Sequence, residues 1–113
     1  MVDSAEYQTY LPERKPSPEQ YRKYDRIEIV HLNITSDQPG NTREELIRKR
    51  IKLLRESGIE IQEVEIDTDQ GDLKNKNIVI GGALDDVCGP KRRRFIIEHG
   101  GKAIIDTSLS TDY

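Results

Sequence analysis

The run Asn77-Ile78-Val79-Ile80-Gly81-Gly82 constrains the fold more than any other stretch of this chain. Its apolar residues follow one another without alternation, the pattern of a strand buried on both faces. Such a strand needs covering layers on both sides. A glycine pair ends the run, and a loop with Asp85, Asp86 and Cys88 follows. Pro90 and the cations Lys91-Arg92-Arg93-Arg94 then open a helix. Strand, loop and helix N-terminus in that order bring unpaired backbone N–H groups together, which is where α/β proteins often hold ligands.

The other elements are read from periodicity. A first strand is expected from Arg26 to about Ile34, with Ile27 and Ile29 on one face and Val30, Leu32 and Ile34 alternating on the other. The loop 35–41 is turn chemistry throughout. Thr42 and Glu45 form a T-x-x-E capping box at the start of a helix. Ile47, Ile51 and Leu54 make its apolar stripe, broadened by Leu46, Leu53 and the stem of Arg50, while Arg48, Lys52 and Arg55 line the opposite face. Gly58 stops it. A second strand over Ile59–Ile66 changes phase at Val64, which suggests a bulge or a change of exposure. The second main helix is expected from about Pro90 to His99, closed by Gly100, and a last strand over Lys102–Asp106. The residues 107–113 are polar and read as loose.

The resulting order, β-α-β-β-α-β, fits two architectures. A link without a helix between the second and third strands suits an antiparallel hairpin, as in a ferredoxin-like sandwich. Strands apolar on both faces suit a mostly parallel, four-stranded sheet in a compact three-layer α/β domain, and that arrangement is favoured. The domain spans 26–113. Residues 1–25 read as an appendage with a short helix, in which Ser17 is the N-cap, Pro18 the first helical residue and Gln20 the closing partner. Tyr21 and Tyr24 share a face there and are expected to fasten the segment to the body.

Composition narrows the class of function. With 113 residues there is room for one modest core. The net charge of −3 argues against a dedicated nucleic-acid binder, though a local basic patch keeps contact with nucleic acid possible. A single cysteine suits a reducing compartment, and neither a membrane span nor a signal peptide is evident. A cytoplasmic protein without membrane contact is the expectation.

The candidate site is an anion or partner site formed by Gly81, Gly82, the first helical N–H groups and Lys91, Arg92 and Arg93. Cations in a first helical turn oppose the helix dipole by a few tenths of a kcal/mol each, roughly, so stability alone does not explain them. On this reading, Arg92→Ala with Arg93→Ala leaves the fold intact and weakens binding. The spacing matches neither a P-loop nor a dinucleotide fingerprint, and no cofactor is expected. Cys88, at the mouth of the helix, is a weak catalytic candidate, since its thiol can be activated by the helix terminus and cations. His99 lies at the far end of that helix, too distant to act as its base. The turn Asp67-x-Asp69-x-Gly71-Asp72 lacks the remaining ligands of a calcium loop and reads as a turn, so no metal is expected. His31 reads as a core or rim histidine.

From Leu73 onward the chain resembles the first half of a BRCT domain. The resemblance rests on the strand Lys76–Gly82, the helix Lys91–His99, the junction Gly100-Gly101-Lys102 leading into Ala103–Ile105, and the Ser/Thr-rich 107–113. It implies an α/β module mediating protein contacts in DNA repair or replication, with a nuclear or nucleoid location. Phosphate-binding members usually place Ser or Thr where this chain has Gly81. The stretch Ile80–Cys88 is also similar to the nucleophile turn of isochorismatase-like cysteine hydrolases, which implies a nucleophilic Cys88.

The functional expectation is a non-enzymatic binding or adaptor module for a protein or phosphate-bearing partner, contacted through 82–90 and the basic helix start. The alternatives are a small cysteine-dependent hydrolase and a purely structural, oligomer-forming domain.

Overall fold

Every strand pairing in the sheet is parallel. The computed structural model describes residues 7–8, 17–31, 42–82 and 88–110. Strands β1 (Tyr7–Gln8), β2 (Arg26–Val30), β3 (Ile61–Val64), β4 (Asn77–Gly82) and β5 (Lys102–Ser110) lie in the spatial order β1-β5-β4-β2-β3. Helix α1 (Thr42–Glu56) connects β2 to β3, and α2 (Cys88–Glu98) connects β4 to β5. The favoured α/β arrangement is the one observed. The hairpin alternative is not, because β3 and β4 both pair with β2 and not with each other. Tyr7–Gln8 adds a fifth strand beside β5, so the sheet is wider than the four strands expected.

Strand alternation sorts the core into two layers. Ile27, Ile29, Ile61 and Val79 pack with Ile47, Ile51 and Leu54 of α1. Val30, Val64, Ile78, Ile80 and Ile105 pack with Ile96 of α2 on the other face. The basic outer surfaces of the two helices therefore lie on opposite sides of the sheet and do not merge.

Several boundaries differ from expectation. The segment at Ser17 forms only a 3-10 turn, Pro18–Tyr21, with Gln20 Oε1 accepting from Ser17 N–H at 3.4 Å. Tyr21 is buried against the α1-side cluster and Tyr24 packs beside it, so this segment is fastened to the body. α2 starts at Cys88, ahead of Pro90, which its first turn tolerates because no N–H is needed there. β5 runs through Ser110 with Ser108, Leu109 and Ser110 buried, so the expected loose tail is sheet at least that far. Polarity misled there because the serines are bonded internally, as described below. The β2 continuation to Ile34, the loop 35–41, the Thr42 side-chain cap, Asp85, Asp86 and the last residues 111–113 lie outside the described residues.

The link 65–76 crosses from β3 to β4 without a helix and is held by two arginines. Arg92 Nη1 donates to the carbonyls of Ile66 at 3.0 Å and Thr68 at 2.6 Å. Arg26 Nη1 donates to Asp72 Oδ2 at 2.6 Å, and Leu73 is buried in the α2-side cluster. These contacts do the covering that a crossover helix would otherwise supply.

Candidate functional site

The connections leaving β2 and β4, which are neighbours, run to opposite sides: β2 through α1 to β3, and β4 through α2 to β5. In open parallel sheets that reversal leaves a crevice beyond the carboxyl ends of the two strands, where ligands bind. The residues at that edge are Val30 ending β2 and His31 after it, Gly81 and Gly82 closing β4, Cys88 opening α2, and Ser110 ending β5. The site read from the sequence sits at this edge of the sheet.

Gly81 and Gly82 are required by packing. A Cβ on Gly82 would lie 2.5 Å from the Val30 carbonyl oxygen, and its φ of +109° is disfavoured for a side-chain-bearing residue. A Cβ on Gly81 would meet Cβ of Leu109 at 2.8 Å. The cause is a wide bulge in β5. Ile80 pairs with Ile105, but Gly82 pairs with Ser110, so β5 carries surplus residues that fold toward β4.

The bulge is stitched by polar side chains. The Asp106 carboxylate accepts from Ser108 N–H at 2.9 Å, Ser108 Oγ–H at 2.7 Å and the Tyr21 hydroxyl at 2.5 Å. Ser110 Oγ donates to the Asp106 carbonyl at 2.8 Å. From α1, Arg50 Nη1 donates to the Ser108 carbonyl at 2.7 Å and Arg43 Nε to that of Ser110 at 3.0 Å. Burial pushes the Asp106 carboxyl above the usual carboxylate range, against the pull of its donors and of Arg50. Burial, and next the Asp106 charge, push the Tyr21 phenol up from its ordinary value. Tyr21 therefore stays a hydrogen-bond donor at neutral pH.

The four cations of the run face different ways. Lys91 and Arg94 are exposed. Arg93 Nε donates to the Ala103 carbonyl at 3.1 Å, which ties α2 to β5. Arg92 is fully buried and turned toward the sheet, where Nε and Nη2 donate to Glu28 Oε1 at 2.8 Å and Oε2 at 2.9 Å. Glu28 also accepts from Arg26 at 2.9 Å. Burial works against the charge on Arg26, but the Asp72 and Glu28 carboxylates outweigh it and raise its pKa. Arg26 in turn lowers the pKa of Asp72.

The structure thus brings Gly82, Cys88 and Lys91 to one end of the molecule and directs Arg92 inward. Removing Arg92 would leave the buried Glu28 carboxylate with Arg26 alone of its two arginines and would free the Ile66 and Thr68 carbonyls, so the fold is not expected to survive Arg92→Ala unharmed. Cys88 is half-buried against the α2-side cluster. His99 closes α2 at the opposite end of the helix from it, as expected. His31 proves to be a rim residue: it has φ of 56° and its Nδ1 lies 2.7 Å from Glu65 Oε2. Sequence reading missed Glu28, Asp106 and the serines of β5. Glu28 was the traceable one, a carboxylate between Ile27 and Ile29 on a strand apolar on both faces. Among the described residues no cluster of acidic, histidine or cysteine side chains could hold a metal ion, and no helix is long and apolar enough to cross a membrane.

No family model matches the chain, and neither a curated protein nor a solved structure matches it.

Proposed function

We propose that this chain is a binding module that contacts a protein or phosphate-bearing partner at the carboxyl end of its sheet, through 82–90 and the exposed start of α2. The observation that carries this reading is the reversal of connection between β2 and β4, the arrangement beside which open parallel sheets commonly bind ligands. The α2 terminus supplies partial positive charge and N–H donors. Lys91 and Arg94 add exposed cations at the same end. The contact cations are thereby Lys91 and Arg94, with Arg92 as the residue that seats the helix. The likeness of 73–113 to a BRCT module agrees with a binding role.

The reading is tested with Lys91→Ala/Arg94→Ala, a surface change that keeps the fold. Binding of a phosphopeptide or a short duplex DNA, followed by fluorescence anisotropy, should weaken about tenfold. The control Lys49→Ala/Lys52→Ala, on the far face of α1, should leave it unchanged. Equal losses in both variants would reduce the interaction to unspecific charge and reject the site.

A further inference from the structure

Two of the three large hydrophobic side chains exposed among the described residues lie on α1, Leu46 at 38 % and Leu53 at 51 %. The sequence places both beside the inward stripe of that helix. In the structure Ile47, Ile51 and Leu54 fill the stripe, and the two leucines turn outward. Leu46, Lys49, Leu53 and Glu56 follow one another at steps of three, four and three, the seam spacing of paired helices. Glu45 and Lys52, themselves seven apart, flank this row. The four charged side chains are exposed, and none makes a side-chain bond within the described residues. Glu44 and Arg48, by contrast, are already paired with each other at 3.6 Å.

The order of charges along this crest selects what fits it. A second copy of α1 laid antiparallel brings each Leu46 against the partner's Leu53 and each Glu45 against the partner's Lys52. Every contact then occurs twice, as a two-fold axis requires. Glu56 reaches the first turn of the other helix, where the backbone carries partial positive charge. A parallel arrangement would set Glu45 on Glu45 and Lys52 on Lys52, and such like-charge contacts oppose association. One contact of the antiparallel pair is unfavourable, because Lys49 lies at the axis and faces its own copy.

We propose that the outer crest of α1 is a self-association surface, through which two copies of this chain pair antiparallel as a weak, reversible dimer. Leu46 and Leu53 of both copies form its apolar centre, and the Glu45–Lys52 pairs set its direction. The patch is small, so its affinity belongs to the transient class, with Kd on the order of 100 µM. Because α1 and α2 cover opposite faces of the sheet, the start of α2 stays exposed on each copy. The dimer thereby presents the carboxyl edge of the sheet twice, which favours a partner with repeated contacts. The pairing itself does not depend on what binds at that edge.

The test is sedimentation equilibrium of the full chain from about 10 µM to about 1 mM, a range that brackets the expected Kd. The wild-type chain should pass reversibly from monomer to dimer. Leu46→Asp/Leu53→Asp, two changes at exposed positions, should weaken the dimer at least about tenfold. Lys52→Glu should weaken it about threefold, and adding Glu45→Lys should restore it, since the pair is then only inverted. Lys49→Leu should tighten it about tenfold, because it replaces the repulsion at the axis with an apolar contact. Circular dichroism checks the fold of each variant, and Lys49→Leu acts by gain, so it decides even where a weakening variant fails to fold. The proposal is overturned by a wild-type chain that stays monomeric at the highest concentration, or by a dimer indifferent to the leucine changes. A Lys49→Leu dimer no tighter than the wild type, or a folded inverted pair that does not restore association, overturns it equally.

Discussion

Arg92 of α2 and Glu28 of β2 form a two-pronged ion pair inside the protein, with N–O distances of 2.8 and 2.9 Å and both side chains essentially unexposed. The pair sits on the interior strand β2 and seats α2 on the sheet. Its remaining valences reach outward: Glu28 to Arg26, and Arg92 to the link between β3 and β4. One side chain therefore joins a helix, the interior strand β2 and a helix-less crossover.

Arg92→Ala should destabilise the fold by about 2–4 kcal/mol, because it removes two of the charged hydrogen bonds to the buried Glu28, leaving Arg26 as a partner, together with the bonds to the link carbonyls. Arg94→Ala, exposed one helical step away from the sheet, should change stability by less than about 0.5 kcal/mol. Urea unfolding of the two variants separates a structural cation from a surface one two residues further along the chain.

Gly82 and Gly71 both have positive φ, +109° and +79°, but only Gly82 is crowded. Gly71→Ala should lose about 1 kcal/mol from backbone strain alone. Gly82→Ala adds a collision with the Val30 backbone and should cost clearly more, about 3 kcal/mol or above. Thermal unfolding of both variants measures the difference, and equal losses would mean that β2 and β4 can separate at their ends.

Tyr21→Phe removes one of the donors to the buried Asp106 carboxylate and should cost about 1–3 kcal/mol. Hydrogen exchange should show the loss concentrated in 17–25 and the β5 bulge, leaving the β2–β3 pairing protected.

Asp106 also gives the protein a pH dependence of definite sign. Its folded pKa lies above that of the unfolded chain, so between the two values the folded state holds the extra proton. Stability contributed by that proton is complete below the ordinary carboxylate pKa of about 3.9 and falls as pH rises through the elevated folded value. Asp106→Asn abolishes the titration. Subtracting the variant's unfolding free energy from that of the wild type, between pH 3 and 8, should give a curve that declines with rising pH. A flat or rising curve would contradict the assignment.

The layers of the fold were legible because periodicity reports burial directly. Ile78, Val79 and Ile80 implied a strand covered on both faces, and Ile47, Ile51 and Leu54 implied one helical stripe. The parallel pairing of β3 and β4 around β2 was less legible, since a helix-less link is usually a hairpin. Its stability here comes from Arg26 and Arg92, whose roles depend on contacts far away in the chain. The same holds for β5. The residues Asp106, Ser108 and Ser110 have the composition of an exposed turn, and only their mutual bonds and Tyr21 make them interior. Of the candidate site, the location at the carboxyl end of β4 was readable from strand, glycine pair and helix start. Which arginine faces outward was not, because residues in one helical turn span its circumference and short-range spacing leaves the inward one undetermined.

The central claim is that the carboxyl end of β2 and β4, with the start of α2, is the contact surface. Chemical-shift mapping of the amides during titration with inorganic phosphate, a phosphoserine peptide and a short duplex DNA tests it most directly. The account predicts that Gly82, Cys88, Gly89 and Lys91 shift together and saturate with at least one of the three. Unmoved signals at these residues with all three, or shifts confined to Lys49 and Lys52 on α1, would contradict it.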